Sequence, residues 1–201
     1  PGRKHPIYSP EKHFVTEIPL SDCMSQDKPR ILFGMGCFWG AEKMFWDLDC
    51  VHVTGVGYAA GHTPNPTYEE VCEENTGHVE VAKVVFDETL KLIDLLKVFF
   101  SIHDPTTINR QGADVGTQYR SAIFSEISDR AEIIDFIKTI EKSSLFKDNI
   151  VTEVNEVVDF YEAEEYHHNY FNNNPENSYC KIVISPKIKK FQNNFSVLIS
   201  K

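Results

Sequence analysis

The 201-residue chain is short of positive charge: 20 Lys and Arg stand against 30 Asp and Glu, a formal net charge of −10. That balance argues against nucleic acid or anionic membrane as a main partner. No run approaches the ~20 apolar residues that a membrane-crossing helix needs. Cysteine is sparse and odd in number: the five stand at positions 23, 37, 50, 72 and 180, with no C-x-x-C pair. This argues against a full disulfide framework and against a thiolate zinc site. A reducing, cytoplasmic setting is the expectation. The start at Pro1 leaves a removed targeting segment open, although no apolar leader remains. Gly34, Gly36 and Gly40 fit neither the dinucleotide nor the phosphate-loop template. There is no internal repeat and no clear domain break.

What is present is an ordinary globular composition, with 41% hydrophobic residues. Residues 1–29 carry Pro1, Pro6, Pro10, Pro19 and Pro29 and read as an irregular arm over the surface. Residues 30–201 read as one catalytic domain with a C-terminal tail. Arg30 to Met35 reads as a buried strand, and Ala41 to Trp46 as a helix. His52 to Tyr58 is a strand ending in a glycine-containing loop. Thr67 to Glu74 is a short helix, with Thr67 and Glu70 spaced as a capping box. Val79 to Phe86 alternates as a strand, and Leu92 to His103 is apolar at helical spacing up to Asp104-Pro105. Arg110 to Tyr119 is a polar loop and Tyr119 to Phe124 a short strand. Ser128 to Ser143 is an amphipathic helix. Val151 to Tyr161 reads as one long strand, Glu162 to Phe171 as a helix, and the rest as an Asn- and Pro-rich tail. This interleaving predicts an α+β, two-layer sandwich around a mixed sheet.

Gly36-Cys37-Phe38-Trp39-Gly40 is the most informative stretch. It places a thiol at a strand-to-helix junction, where unpaired N–H groups and the helix dipole favour the thiolate. Taken alone, Cys37 reads equally as a small core residue. Adjacent rings point in different directions on a helix, so at least one of Phe38 and Trp39 is expected beside the thiol. Other polar segments are Asn65 to Cys72, Thr76 to Glu80, His103 to Thr107, Asn109 to Arg120 and Tyr179-Cys180. Read by residue type alone, Glu80 is an outward-facing glutamate of an alternating strand. Tyr68 and Tyr119 are core tyrosines, Asp114 a loop cap, and Cys180 an inert thiol of a final strand.

Taken together and in this order, from Arg30 to Cys180, these segments closely resemble the type A peptide methionine sulfoxide reductases. The resemblance implies a ferredoxin-like mixed sheet with extensions. It implies that Cys37 is the nucleophile, Glu80 the acid, and Tyr68 and Tyr119 the phenols that bond the sulfoxide oxygen. Asp114 would orient the loop network, and Phe38 and Trp39 would wall the S-methyl pocket for the S epimer. Cys180 would resolve a Cys37 sulfenic acid as a disulfide, and its neighbourhood is expected to swing inward. Thioredoxin would then reduce that disulfide directly, since no cysteine follows Cys180. Oxidised proteins and free methionine sulfoxide are the implied substrates. No metal, cofactor, nucleic acid or membrane is implied, and the chain is expected to be a monomer.

Cys72 and Cys50 are expected to be structural, and Cys23 is a weaker second candidate for recycling. His78, His103 and His167 lack metal-ligand spacing and are read as hydrogen-bonding groups. Two departures from the family pattern are Ala60, where relatives usually carry glycine, and Asp49-Cys50, where a Pro-Gly turn is common. Competing readings are a thiol peroxidase or sensor, and a binding module for oxidised methionine. The peroxidase or sensor reading does not explain the aromatic pair or the group of Tyr68, Glu80 and Tyr119, and the binding module would bind the sulfoxide without turnover.

Overall fold

A computed structural model of the chain describes every residue except 1, 16, 21–28, 50, 88, 200 and 201. Cys23 and Cys50 therefore lie outside the described residues. The centre is a six-stranded sheet. Its inner strands are β1 (Arg30–Gly34), β2 (Val51–Ala59), β3 (Val79–Phe86) and β6 (Ala122–Ser125), and its edges are β7 (Glu153–Glu156) and β8 (Phe160–Glu162). The strand order is β7-β6-β1-β3-β2-β8. All neighbours are antiparallel except β6 and β7. Among the described residues the helices are α1 (Phe38–Trp46), α2 (Tyr68–Cys72), α3 (Leu92–Ile102), α4 (Arg130–Lys142), α5 (Tyr170–Asn173) and α6 (Ser185–Asn194). The inner strands with α1 and α3 run β-α-β-β-α-β, compatible with the ferredoxin-like expectation. A two-strand hairpin, β4 (Arg110–Gln111) and β5 (Asp114–Val115), interrupts the loop that had read as irregular.

The period-2 alternation of each strand sorts its side chains between two faces. Ile31 and Phe33 of β1, with Ala82, Val84 and Phe86 of β3, join the main core beneath α1, α3 and α6. Leu32, Val79 and Val81 point the other way, into a smaller cluster with Ala122 and Phe124. Every residue of β3 is buried, so neither of its faces meets water. The choice for Glu80 was never between core and solvent. Its even-numbered position puts it on the helix-covered face.

Three segments differ from the sequence expectation. The long strand read over Val151 to Tyr161 is two strands at opposite edges of one sheet. β7 pairs in parallel with β6, and then the chain crosses the sheet face opposite α1 and α3, with Phe160 seated on its apolar cluster where β8 pairs with β2. The helix read over Glu162 to Phe171 is a 3₁₀ turn at Glu165–His167 followed by the four-residue α5. Asn169 breaks it, holding φ at 53° while its N–H donates to the buried Glu42 carboxylate at 3.2 Å. The tail is helical: a π-helical turn, Cys180–Ile184, continues directly into α6. Neither a final strand nor a loose segment surrounds Cys180. The Tyr119 to Phe124 strand starts only at Ala122, and Tyr119 lies in the preceding 3₁₀ turn.

The described part of the arm is tied to the site's surroundings. Arg3 forks onto Glu70 at 2.7 and 3.0 Å, and the buried His13 bonds Thr54 at 2.8 Å. Glu70 is at the same time the capping-box partner of Thr67 at the start of α2. Two backbone positions are sensitive. A Cβ on Gly57 would lie 2.2 Å from the Tyr161 carbonyl oxygen of β8. Ala60 holds φ at 65°, the left-handed region in which glycine is at ease. Gly57→Ala is expected to destabilise the chain by about 1–3 kcal/mol through overpacking. Ala60→Gly is expected to stabilise it, by up to about 1 kcal/mol. Thermal melting of the two variants beside the parent reads both signs; a Gly57→Ala protein melting with the parent refutes the β2–β8 contact.

Candidate active site

Cys37 is the N-cap of α1, directly after the β1 strand end. Gly36 precedes it with φ at 88°, and a Cβ there would meet the Gln111 side chain at 2.6 Å, so the sharp entry into the helix needs glycine. The next residue donates its backbone N–H, Phe38 N, to Glu80 Oε2 at 3.2 Å. Glu80 is 1% exposed. Burial pushes its carboxyl up to about 8, with Asp114 and Glu164 adding like charge and the Phe38 N–H pulling the other way. The acid therefore keeps its proton at neutral pH.

The thiol departs from the sequence expectation. Helix N-terminal N–H groups do act on Cys37, since the Trp39 N–H lowers its affinity for a proton, as does the Tyr179 hydroxyl. Desolvation outweighs them, and Glu80 and Asp114 add to it, so the thiol sits well above its ordinary value. At rest Cys37 is a protonated thiol, not a thiolate.

Around this pair the structure gathers the other predicted residues. Tyr68 opens α2, and Tyr119 closes the turn after β5. Both phenols are raised, chiefly by burial; Tyr119 feels the Glu80 and Cys37 charges, and Tyr68 feels Tyr119 and Glu80. They remain neutral donors throughout the physiological range. Asp114 of β5 accepts a short hydrogen bond from the Tyr179 hydroxyl. The two rings after Cys37 diverge as their helical spacing requires. Phe38 is buried against Val56, Tyr58 and Val71. Trp39 lies flat on Tyr170, with ring centroids 3.8 Å apart and planes 8° from parallel. Its indole Nε1 donates to His167 Nδ1 at 2.8 Å.

Cys180 is 1% exposed and packs in the main core, and Cys37, Cys72 and Cys180 are all free thiols. The N–H groups of Tyr179 and Cys180 both point at Asn177 Oδ1, which starts this helical segment.

Several residues beside the site were not assigned to it from sequence. Tyr179 reaches both Asp114 and Cys37; its place next to Cys180 was visible, but nothing in the spacing showed which way it turns. His167 is fully buried between Phe38, Tyr68 and Trp39, with Nε2 3.4 Å from Glu164. Glu164 also accepts the Tyr68 N–H at 3.2 Å. Cys72, expected to be structural, bonds the Tyr68 hydroxyl and so borders the site. His78 and His103 behave as expected: His78 bridges Gly61 N and Thr63 O, and His103 bridges Phe99 O and Ser121 Oγ. Among the described residues no cluster of three or more His, Cys, Asp or Glu is arranged to hold a metal ion. No described helix is long and apolar enough to cross a membrane.

Residues 29–198 match the family described as peptide methionine sulfoxide reductase. The chain is 49% identical over 186 residues to the peptide methionine sulfoxide reductase MsrA of Vibrio parahaemolyticus, covering 90% of this chain and 87% of that protein. Its fold matches methionine sulfoxide reductase A of Corynebacterium diphtheriae with a TM-score of 0.77 and 35% identity over 88% of each chain. It matches the reduced form of Mxr1 from Saccharomyces cerevisiae with a TM-score of 0.72 and 35% identity, over 78% of this chain and 91% of that one. The chain is an oxidoreductase of the peptide methionine sulfoxide reductase family. Within that family it belongs with the type A members that these relatives represent.

The raised Glu80 value has a consequence for stability. Below about pH 4.5 the folded and unfolded chains both hold this proton. As pH rises from there to about 8, the unfolded chain ionises first, so folding stability falls across that window. Glu80→Gln keeps an acceptor for Phe38 N but carries no proton to lose. Its melting temperature is expected to gain on the parent between about pH 5 and pH 8, by several degrees, at roughly 2–4 °C per kcal/mol for a chain of this size. A constant difference across that range would place Glu80 in a wetter setting than the sheet provides.

Proposed function

We propose that the chain reduces the S epimer of methionine sulfoxide, in proteins and as the free amino acid, to methionine. The observation that carries this reading is the buried, protonated Glu80 bonded at the N-terminus of the Cys37 helix. Oxide is a poor leaving group, so attack at the sulfoxide sulfur needs a proton for the oxygen, and Glu80 holds one. Tyr68 and Tyr119 donate to the same oxygen without bearing charge. The S-methyl group fits against Phe38 and Trp39, where its burial contributes roughly 1 kcal/mol. A fixed methyl pocket and a fixed oxygen site together select one epimer.

The reaction balances as follows. The Cys37 sulfur attacks the sulfoxide sulfur while Glu80 gives its proton to the oxygen and the thiol proton replaces it on Glu80; the hydroxyl then passes to Cys37 as the S–O bond and the new S–S bond to the substrate break, leaving a sulfenic acid on Cys37 and releasing methionine. The Cys180 sulfur then attacks the sulfenic sulfur, an S–S bond forms, and water departs. A dithiol of the thioredoxin kind reduces the disulfide by thiol–disulfide exchange and is itself oxidised. Cys180 is packed in the core while Cys37 is reduced, so resolution requires the turn that begins at Cys180 to leave its seat. Asp114 acts through Tyr179, fixing the phenol that touches the thiol.

The deciding experiment offers each purified methionine sulfoxide epimer to the protein with excess dithiothreitol. Loss of the S epimer alone is expected, and Cys37→Ser should abolish it. Cys180→Ser should keep turnover with dithiothreitol and lose it with thioredoxin. Consumption of neither epimer by folded protein with free thiols overturns the reading, and unchanged thioredoxin turnover in Cys180→Ser moves the resolving role elsewhere.

A further inference from the structure

Lys187 lies in the first turn of α6, directly after the π-helical turn that begins at Cys180. It is partly buried, and its ammonium makes no hydrogen bond or ion pair among the described residues. Lys187 lines the small cavity beside Cys37. One wall is Cys37, Gly40 and Met44; the other is Tyr179, Ile184 and Lys187. Lys187 is the only charged residue in that lining. The walls are drawn tightly together, since a Cβ on Gly40 would lie 2.6 Å from Ile184 Cγ2.

The charges around the thiol make a cation informative there. Cys37 faces Glu80 from β3, Asp114 from β5, Tyr119 from the turn after it and Tyr179 from the C-terminal segment. None of these brings positive charge, and two are carboxyls. Lys187 is held below its ordinary value by burial, while Cys37 and Asp114 pull it up. On its other side it borders an open cleft shared with His103, Asp104, Lys147, Asp148 and Lys190. His103 is kept neutral there, lowered to about 4 mainly by its burial.

We propose that Lys187 is the positioning cation for Cys37: its side chain lines the thiol cavity from the helix that follows Cys180, and its ammonium stabilises the ionised sulfur. This rests on Cys37 being the nucleophile. It gives the C-terminal helix two tasks in sequence. Docked, it makes the first thiol reactive; undocked, it delivers the second.

The test reads ionisation of the sulfur with no sulfoxide present, so it stands apart from the reductase assay. The full chain is alkylated with iodoacetamide across a pH series, and modification of the Cys37 peptide is followed by mass spectrometry. Lys187→Met and Lys187→Gln are expected to raise the midpoint for Cys37 by about one pH unit, hence about tenfold slower alkylation below the midpoint. Lys187→Arg should restore the parent midpoint, and the Cys72 midpoint should stay in place in all four proteins. An unchanged Cys37 midpoint in either neutral variant overturns the proposal. So does an equal shift in Lys187→Arg, or a parallel shift of Cys72, since either would report a purely structural disturbance.

Discussion

The site depends on a carboxylic acid held inside a sheet. Glu80 stands on a strand buried on both faces, opposite Tyr58 in the pairing of β2 with β3. It makes one backbone hydrogen bond, to the first turn of α1. Burial this complete makes ionisation costly, and the protein tolerates the group by keeping it neutral. The same burial that weakens the fold toward high pH keeps a proton beside the sulfur at neutral pH. Sheet, Cys37 helix and buried carboxyl are thus one arrangement.

The thiol shows the opposing side of that environment. Cysteine at a helix N-terminus is ordinarily made acidic by the backbone N–H groups it faces. Here those groups are present and are outweighed, because the cavity that protects the acid also desolvates the sulfur. A low-dielectric pocket that suits a neutral acid resists an anionic nucleophile, and the chain has to reconcile the two within a few ångströms. The groups that relieve the conflict come from the C-terminal segment: the Tyr179 hydroxyl from just before Cys180, and the Lys187 ammonium from beyond it.

Much of this was legible in the sequence, and the failures share a cause. β1, β3, α2 with its capping box and α3 follow from period and capping chemistry, which are local. The constellation of Cys37, Glu80, Tyr68, Tyr119 and Asp114 was legible only as a family resemblance, since no local rule brings β3, α2 and the β5 hairpin together. Val151 to Tyr161 was misread because an alternating run does not say that its halves pair with opposite edges of one sheet. The helix read to Phe171 failed at Asn169, whose left-handed backbone is set by a hydrogen bond to Glu42, 127 residues away. Ile182-Val183-Ile184 resembled a strand because short apolar runs carry no period. Its helical form is fixed by packing against α1, where Gly40 leaves room for Ile184.

The π-helical turn at Cys180–Ile184 carries a mechanical implication. Its carbonyl at Cys180 accepts from the backbone N–H of Ser185 and from Ser185 Oγ at 3.0 Å, one residue further along than an α-helix allows. Such a turn holds one surplus residue in the winding. Cys180 is thereby mounted on the widest-wound turn of the C-terminal helix, next to the phenol that faces Cys37.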